Sequence, residues 1–167
     1  MNAAELSLPC DLSPSPAIYR FVADEEKFSE LPYLGPGGEW IQGYGHTKDI
    51  GPDSPPITHE IGERWLAEDL ERAADTIRTW VRPPLTQGQF DALVSLVFTT
   101  GTGLPGQKSG FVWLRIGGHS TILNKINAGD YIGAGEEFAR WVHSGGKRLG
   151  GLVKRRELEM RMWRGDR

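Results

Sequence analysis

Residues 24–47 read Asp-Glu-Glu-Lys-Phe-Ser-Glu-Leu-Pro-Tyr-Leu-Gly-Pro-Gly-Gly-Glu-Trp-Ile-Gln-Gly-Tyr-Gly-His-Thr, and this stretch decides the fold. It opens with adjacent carboxylates, continues through a segment rich in proline and glycine, and closes on alternating glycines before a histidine. Turn-forming residues between short pieces with aromatic and branched side chains are typical of a β-hairpin. The stretch therefore predicts a helix that delivers acidic side chains to the mouth of a small hairpin.

An apolar helical pattern leads into these acids. Its members fall on one side of a helix and follow Pro14 and Pro16; they are Ile18, Phe21, Val22 and Phe28. Glu25 lies near the centre of that apolar face and Glu26 at its edge, and Pro32 is expected to end the helix. A carboxyl group at such an edge is partly desolvated yet accessible, which suits a proton donor near neutral pH. From the helix alone, an ordinary solvated helix end is the alternative.

Glycines close the hairpin segment. Gly43 and Gly45 flank Tyr44, and glycine in such a place lets a substrate or a neighbouring backbone come close. We therefore expect the acids, the hairpin and these glycines to line one groove.

Three blocks of sequence resemble the phage-type lysozymes, the endolysins of glycoside hydrolase family 24. They are Glu26 with Tyr33 and the run Trp40-x2-Gly43-Tyr-Gly-His-Thr47; residues 85–98; and residues 123–159, with Asn127-Ala-Gly-Asp130, Trp141 and Arg155-Arg156-x-x-Glu159. The blocks follow the family's order and span nearly the whole chain. The resemblance implies a mainly helical α+β, two-lobed lysozyme-like fold, in which a long helix joins a small β-hairpin lobe to a helical lobe.

The chain departs from the family at the two positions whose side chains hold the attacking water. The resemblance implies that Glu26 is the catalytic acid. Family members carry an Asp (in some, a Cys) nine residues and a Thr fifteen residues after it, and these side chains position the attacking water. Here those positions hold Gly35 and Ile41, neither of which can bind water through its side chain.

The second catalytic group is therefore open. Glycosidic hydrolysis needs an acid on the leaving oxygen and either a base for water or a nucleophile on the opposite face. Gln42 would orient water if the hairpin register slipped by one residue, and Glu39 or Asp49 would act as a base if the hairpin or its exit bends inward. If the substrate's own 6-hydroxyl attacks, one Glu suffices and the protein is a lytic transglycosylase. A lysozyme-like protein that only binds glycan is the third alternative.

The resemblance also implies substrate contacts, from Tyr33, Gly45, His46, Phe98 and Ser120. On chemistry alone, Phe98 would be assigned to the core and His46 to a structural hydrogen bond. The histidines show no metal-ligand spacing, and neither a metal nor another cofactor is expected.

Helical periodicity and capping residues place the remaining elements. Thr58 suits the N-cap of a long amphipathic helix that Pro83-Pro84 stops, and Thr86 with Gln89 predicts a capping box. The predicted organisation is a loosely docked N-terminal arm over 1–13 and a single lysozyme-like domain over 14–167, with the hairpin lobe at about 30–57, the linking helix at about 58–82 and the helical lobe at about 85–165. Compared with the resembling family, residues 99–118 look like a segment with an insertion of about ten residues, either a surface loop with an aromatic patch folded onto the core or an extra wall or lid of the cleft.

The last helix is strongly basic. We predict that Arg155 or Arg156 pairs with Glu25, which would hold Glu25 ionised while Glu26 stays protonated. A solvated face, or contact with anionic phosphates of the wall or outer membrane, are the other interpretations of these charges.

Composition limits the partners. A net charge of −3 argues against nucleic acid, no apolar run approaches a membrane span, and no signal peptide is expected. The single cysteine, Cys10, excludes an internal disulfide. From the resemblance we expect a monomer without stable membrane insertion that accumulates in the host cytoplasm and needs a holin or another release route to reach peptidoglycan glycan strands. There it would hydrolyse the β-1,4 bond between N-acetylmuramic acid and N-acetylglucosamine.

Overall fold

Helix α2, His59–Trp80, joins the two parts of the molecule in this computed structural model, which describes residues 5–166. Thr58 caps the helix by accepting a hydrogen bond from the Ile61 amide, as its sequence predicts. One face carries the buried residues Leu66, Leu70, Ala73, Ala74 and Ile77 at spacings of three and four, and the other faces are charged. The first half of α2 packs on the hairpin and the second half on helix α3. The linking helix is therefore confirmed.

Helix α1, Pro16–Glu26, is shorter than its sequence predicts. Lys27 follows it with φ of 57°, in the left-handed region, and strand β1, Ser29–Leu34, begins at once. Phe28 therefore leaves the helical face and stacks on His59, with ring centroids 3.8 Å apart. Pro32 lies in β1, which is an edge strand of a two-stranded sheet and tolerates the missing donor.

The hairpin has an irregular register. Strand β2, Trp40–Gly43, pairs antiparallel with β1 so that Tyr33 lies opposite Ile41 and Leu34 opposite Trp40. Closer to the helix Ser29 lies opposite Gly43, so the register shifts between these points through a bulge. Residues opposite each other share a face of the sheet, which fixes the side of the hairpin to which each side chain belongs.

The helical lobe is built around α3, Gln87–Thr100. The Thr86–Gln89 capping box forms, and almost the whole length of the helix after it is buried. The lobe is completed by α4 (Thr121–Asn127), α5 (Tyr131–Glu137), a 3-10 turn (Phe138–Arg140), the strands β3 (His143–Ser144) and β4 (Lys147–Arg148), and α6 (Gly150–Arg164). Helix α6 packs along α3. The last helix therefore lies directly behind the helix that carries Phe98.

The N-terminal segment is firmly attached where the structure describes it. Ser7 exchanges two backbone hydrogen bonds with Leu85, and the Leu12 side chain joins the hydrophobic core. The Arg78 guanidinium donates to the Leu12 carbonyl through Nε and Nη2, at 3.2 and 2.9 Å. The expectation of a loosely docked arm is wrong for residues 5–12, while residues 1–4 lie outside the described part.

The insertion folds onto the core and also reaches the cleft. Phe111 and Val112 are fully buried, whereas Gly101 and Thr102 line the cleft described below. Gly103 and Gly110 touch through their backbones, because a Cβ on Gly103 would lie 2.5 Å from the Gly110 nitrogen. Phe111 and Val112 therefore fit the interpretation as a loop on the core, whereas Gly101 and Thr102 fit the interpretation as a wall of the cleft.

Within residues 5–166, the helices are too short or too polar for a membrane span.

The attachment of the N-terminal segment can be measured. Leu12 is 8% exposed, so Leu12→Ala should lower the free energy of unfolding by about 2–3 kcal/mol through lost burial and a residual cavity. Leu8→Ala is the control, because Leu8 is 48% exposed and should change stability by less than about 0.5 kcal/mol. Denaturant unfolding gives both values, and equal, small effects would show that the segment contributes nothing to the core.

Candidate active site

Glu26 lies at the C-terminal end of α1, where α1 meets α6. Arg155 Nη1 donates a hydrogen bond to Glu26 Oε1. The Arg155 side chain is only 5% exposed and the Glu26 side chain 23%. The last helix does bring an arginine to the acid pair, as predicted. The prediction named the wrong acid, because Arg155 contacts Glu26 and not Glu25. Arg156 turns into the interior instead.

Aromatic rings hold the Arg155 guanidinium in place. Its central carbon lies 5.8 Å from the centre of the Phe21 ring and 5.7 Å from that of Phe98. Contacts of this kind attract a cation to the ring face and restrict its movement. Arg155 therefore positions the Glu26 carboxyl from a rigid support.

A buried polar network supports Arg155 from below. Ser95 Oγ accepts from Arg155 Nε at 3.1 Å and donates to Glu159 Oε1 at 2.5 Å. Arg156 Nη2 donates to the same Glu159 oxygen at 2.8 Å and to Thr99 Oγ1 at 2.9 Å. The network ties α6 to α3 under the site, and its charged members are each less than 5% exposed.

Burial acts on the charges of this network. It lowers the pKa of Arg156 to about 10, so that guanidinium stays charged at neutral pH. Burial likewise raises the pKa of Glu159, and the charges of Arg156 and Arg155 oppose that rise. Removal of either arginine would leave Glu159 buried with fewer partners, which is costly.

Gly45 brings the backbone of the hairpin exit against the acid. A Cβ at this position would lie 3.1 Å from Glu26 Oε2 and 3.3 Å from the Phe98 ring, and φ at Gly45 is 84°. Both the space and the backbone conformation therefore require glycine. The structure thus brings Glu26, Gly45 and Phe98 together at the hairpin exit.

The groove opens into a cavity of about 550 Å³. It runs from Gly45 and Phe98 along the exposed side of α2 to Trp80, and the insertion closes part of its wall. At the Trp80 end, Trp80 packs edge-on against Trp113, with ring centres 5.5 Å apart. The Trp113 ring is in turn tilted against the His119 ring. A cavity that adjoins the Glu26 carboxyl through Gly45 and Phe98 and is also lined by Trp80 suits a chain of sugars.

Tyr33 stands at the hairpin side of the acid and is 41% exposed. Burial raises the pKa of its phenol, and the charges of Glu26 and Glu39 raise it further. The phenol therefore stays protonated and can donate a hydrogen bond to a bound ligand.

Two of the candidates for a water-handling group lie elsewhere. Gln42 is fully buried, and its Nε2 donates to the carbonyls of Glu30 and Pro55 at 2.8 Å each. The hairpin register does shift, but Gln42 is buried and its amide nitrogen is occupied by two carbonyls, so the prediction for Gln42 is wrong. Asp49 lines a second cavity, of about 500 Å³, together with Gln42, Arg64 and Trp65. The structure does not bring Asp49 to Glu26.

Two predicted substrate contacts have structural roles. Ser120 is fully buried as the N-cap of α4, where it donates to the Phe111 carbonyl and accepts from the Leu123 amide. The prediction for Ser120 is therefore wrong. His46 is buried, donates through Nδ1 to Asp69 at 2.8 Å and stacks on Trp65. Burial, and then the Arg72 charge, lower the pKa of His46.

Sequence reasoning missed Asp69 and the interior polar groups. Asp69 anchors His46 and lines the large cavity, yet it looks like one of many charges on α2. Ser95 gave a usable signal, since it is a polar residue in the middle of the apolar run from 90 to 98. A buried hydroxyl in such a run needs a partner, and α6 supplies it.

A two-lobed, mainly helical fold with a helix-end glutamate in an elongated cleft defines a lysozyme-type glycosidase. Residues 23–159 match the family described as phage lysozyme, and the chain belongs to this family. It is 40% identical over 126 residues to an endolysin of Acyrthosiphon pisum secondary endosymbiont phage 1, covering 73% of this chain and 77% of that protein. It is 36% identical over 140 residues to the SAR-endolysin of Escherichia phage Mu, covering 83% and 73%.

The structural comparison agrees with the sequence comparison. The muramidase domain of SpmX from Asticaccaulis excentricus superposes with a TM-score of 0.72 at 27% identity, covering 90% of this chain and 97% of that domain. The α+β lysozyme-like fold and the class of enzyme, a muramidase-type glycosidase, are thus confirmed.

The role of Arg155 can be tested by a substitution that keeps its charge. Arg155→Lys removes the planar contacts with Ser95 and the aromatic rings, so Glu26 loses its fixed position and kcat should fall about 10- to 100-fold. Arg161→Lys, on the exposed side of α6, is the matched control and should leave kcat unchanged. Turbidity loss of a peptidoglycan suspension measures both, and an unaltered Arg155→Lys enzyme would contradict the positioning role.

Proposed function

We propose that this protein is a phage endolysin that hydrolyses the β-1,4 bond between N-acetylmuramic acid and N-acetylglucosamine in peptidoglycan, with Glu26 as the general acid. The observation that carries the proposal is the position of the Glu26 carboxyl. One oxygen accepts from Arg155, and the other faces Gly45 beside Phe98, two residues that line the cavity. The endolysin names of the relatives support the choice of peptidoglycan as substrate.

The free oxygen has the chemistry that the reaction needs. Protonated Glu26 gives its proton to the glycosidic oxygen while the bond from that oxygen to the anomeric carbon breaks. The leaving sugar departs as an alcohol, a water adds to the anomeric carbon and loses a proton to a base, and solvent then reprotonates Glu26. Arg155 Nε also lies 3.5 Å from Glu159 Oε1. The positive charge of Arg155 is therefore shared between two carboxyl groups, those of Glu26 and Glu159.

The biological setting follows from the same assignment. We place the enzyme in the host cytoplasm as a monomer, without stable membrane insertion, and propose that a holin releases it to the glycan strands at host lysis. No nucleic-acid partner is proposed, in keeping with the net charge of −3.

The acid can be identified with two neighbouring substitutions. Glu26→Gln should lower kcat on purified peptidoglycan by about 100-fold or more, because an amide cannot donate the proton. Glu25→Gln is the matched control, since Glu25 does not contact Arg155 in the structure, and it should retain activity. Loss of activity in Glu25→Gln with activity kept in Glu26→Gln would overturn the assignment.

The products decide between the reactions. Mass spectrometry of the released muropeptides should show reducing muramic ends from the wild type and none from Glu26→Gln. Products lighter by one water would identify a transglycosylase. No release by a folded wild-type protein would favour a protein that only binds glycan.

A further inference from the structure

Hydrolysis with Glu26 as the acid requires a second group that takes a proton from water. With Gln42 buried and Asp49 in another cavity, Glu39 is the remaining candidate, and it lies on the same side of the hairpin as Tyr33. The register identifies the side chains on this face.

Tyr33 lies opposite Ile41, and opposite residues in an antiparallel pair project to the same side. Because side chains alternate along each strand, position 35, directly after β1, and position 39, directly before β2, belong to that side as well. The Gly35 amide donates to the Glu39 carbonyl at 2.7 Å, so the ladder continues to this point. Glu39 is thus on the Tyr33 side, and Leu34 and Trp40 are on the other.

The Glu39 carboxyl folds back over the turn into space that two glycines leave open. A Cβ on Gly35 would lie 3.0 Å from both Cδ and Oε1 of Glu39, and 2.5 Å from Ile41 Cδ1. A Cβ on Gly37 would collide with Glu39 Oε2. Neither glycine has a positive φ. Glycine is therefore needed at these two positions for lack of space, and not for an unusual backbone conformation. The carboxyl of Glu39 occupies the space that a side chain would take.

The same carboxyl is available for chemistry. Glu39 is exposed, and within residues 5–166 its carboxylate accepts no hydrogen bond and forms no ion pair. Burial raises the pKa of the nearby Tyr33 phenol, and the charges of Glu26 and Glu39 raise it further.

We propose that Glu39 is the general base of this enzyme, and that it replaces the side chain missing at Gly35. Its carboxylate accepts a proton from a water as that water's oxygen bonds to the anomeric carbon. At the same time the glycosidic bond breaks and Glu26 protonates the leaving oxygen, so that charge and protons balance. The proposal rests on the hydrolysis proposed above and assigns its second carboxylate.

The test is a glutamate-to-alanine substitution with chemical rescue. Glu39→Ala should lower kcat on soluble peptidoglycan fragments by about 100-fold or more, with KM changed less than about threefold. Azide, which needs no base, should restore turnover and yield an α-glycosyl azide, since it attacks from the face opposite the β-linked leaving group. Asp49→Asn is the matched control and should match the wild type with and without azide.

A second variant tests the geometry without removing the carboxyl. Gly35→Ala places a methyl group against Glu39 and Ile41, so kcat should fall while the thermal midpoint changes little. The proposal is overturned if Glu39→Ala keeps wild-type activity, or if its activity is lost without azide rescue in a protein that remains folded. Failure of the parent function looks different, because the wild type would then be inactive or Glu26→Gln would remain active.

Discussion

The contact between Arg155 and Glu26 is the interaction on which the rest of the site depends. It joins the first helix to the last, and each partner is fixed by a different part of the fold. Phe21 and Phe98 hold the guanidinium from its sides, and Ser95 and Glu159 hold it from below. The hairpin then closes against the acid only because Gly45 has no side chain. A carboxyl group is thus kept at the cleft surface by a buried network of Arg155, Ser95 and Glu159, together with Phe98 and Gly45 of the cleft wall.

This arrangement explains why the interior of the helical lobe is so polar. Two arginines and a glutamate lie buried between α3 and α6, which weakens the lobe unless every member keeps its partners. A hydrophobic replacement of the network would pack as well, but it would not present a guanidinium to α1. The polar interior therefore supports the position of Arg155, and through it that of Glu26.

Sequence reasoning succeeded where the determining interactions are local. The N-cap at Thr58 and the capping box at Thr86 depend on residues three positions apart, and both formed as predicted.

Sequence reasoning failed where partners come from distant segments. The separation of 129 residues between Glu26 and Arg155 gave no indication that Glu26, and not its neighbour, would receive the arginine. The burial of Gln42 depends on carbonyls of two other segments, and no local pattern encodes it. The first helix ends earlier than predicted, and Phe28 stacks on His59 of α2, a partner distant in sequence.

The backbone contact between Gly103 and Gly110 has a consequence for variation of this enzyme. The chain leaves the cleft wall at one glycine and returns to the other, so residues 104–109 form a closed tip whose two ends already touch. The entropic cost of closing a longer tip grows only slowly with its length, and exposed tips are the places where proteins accept new sequence. The tip is therefore a permissive position, where peptides of other lengths could be exchanged beside the cleft while Phe111 and Val112 keep the lobe sealed.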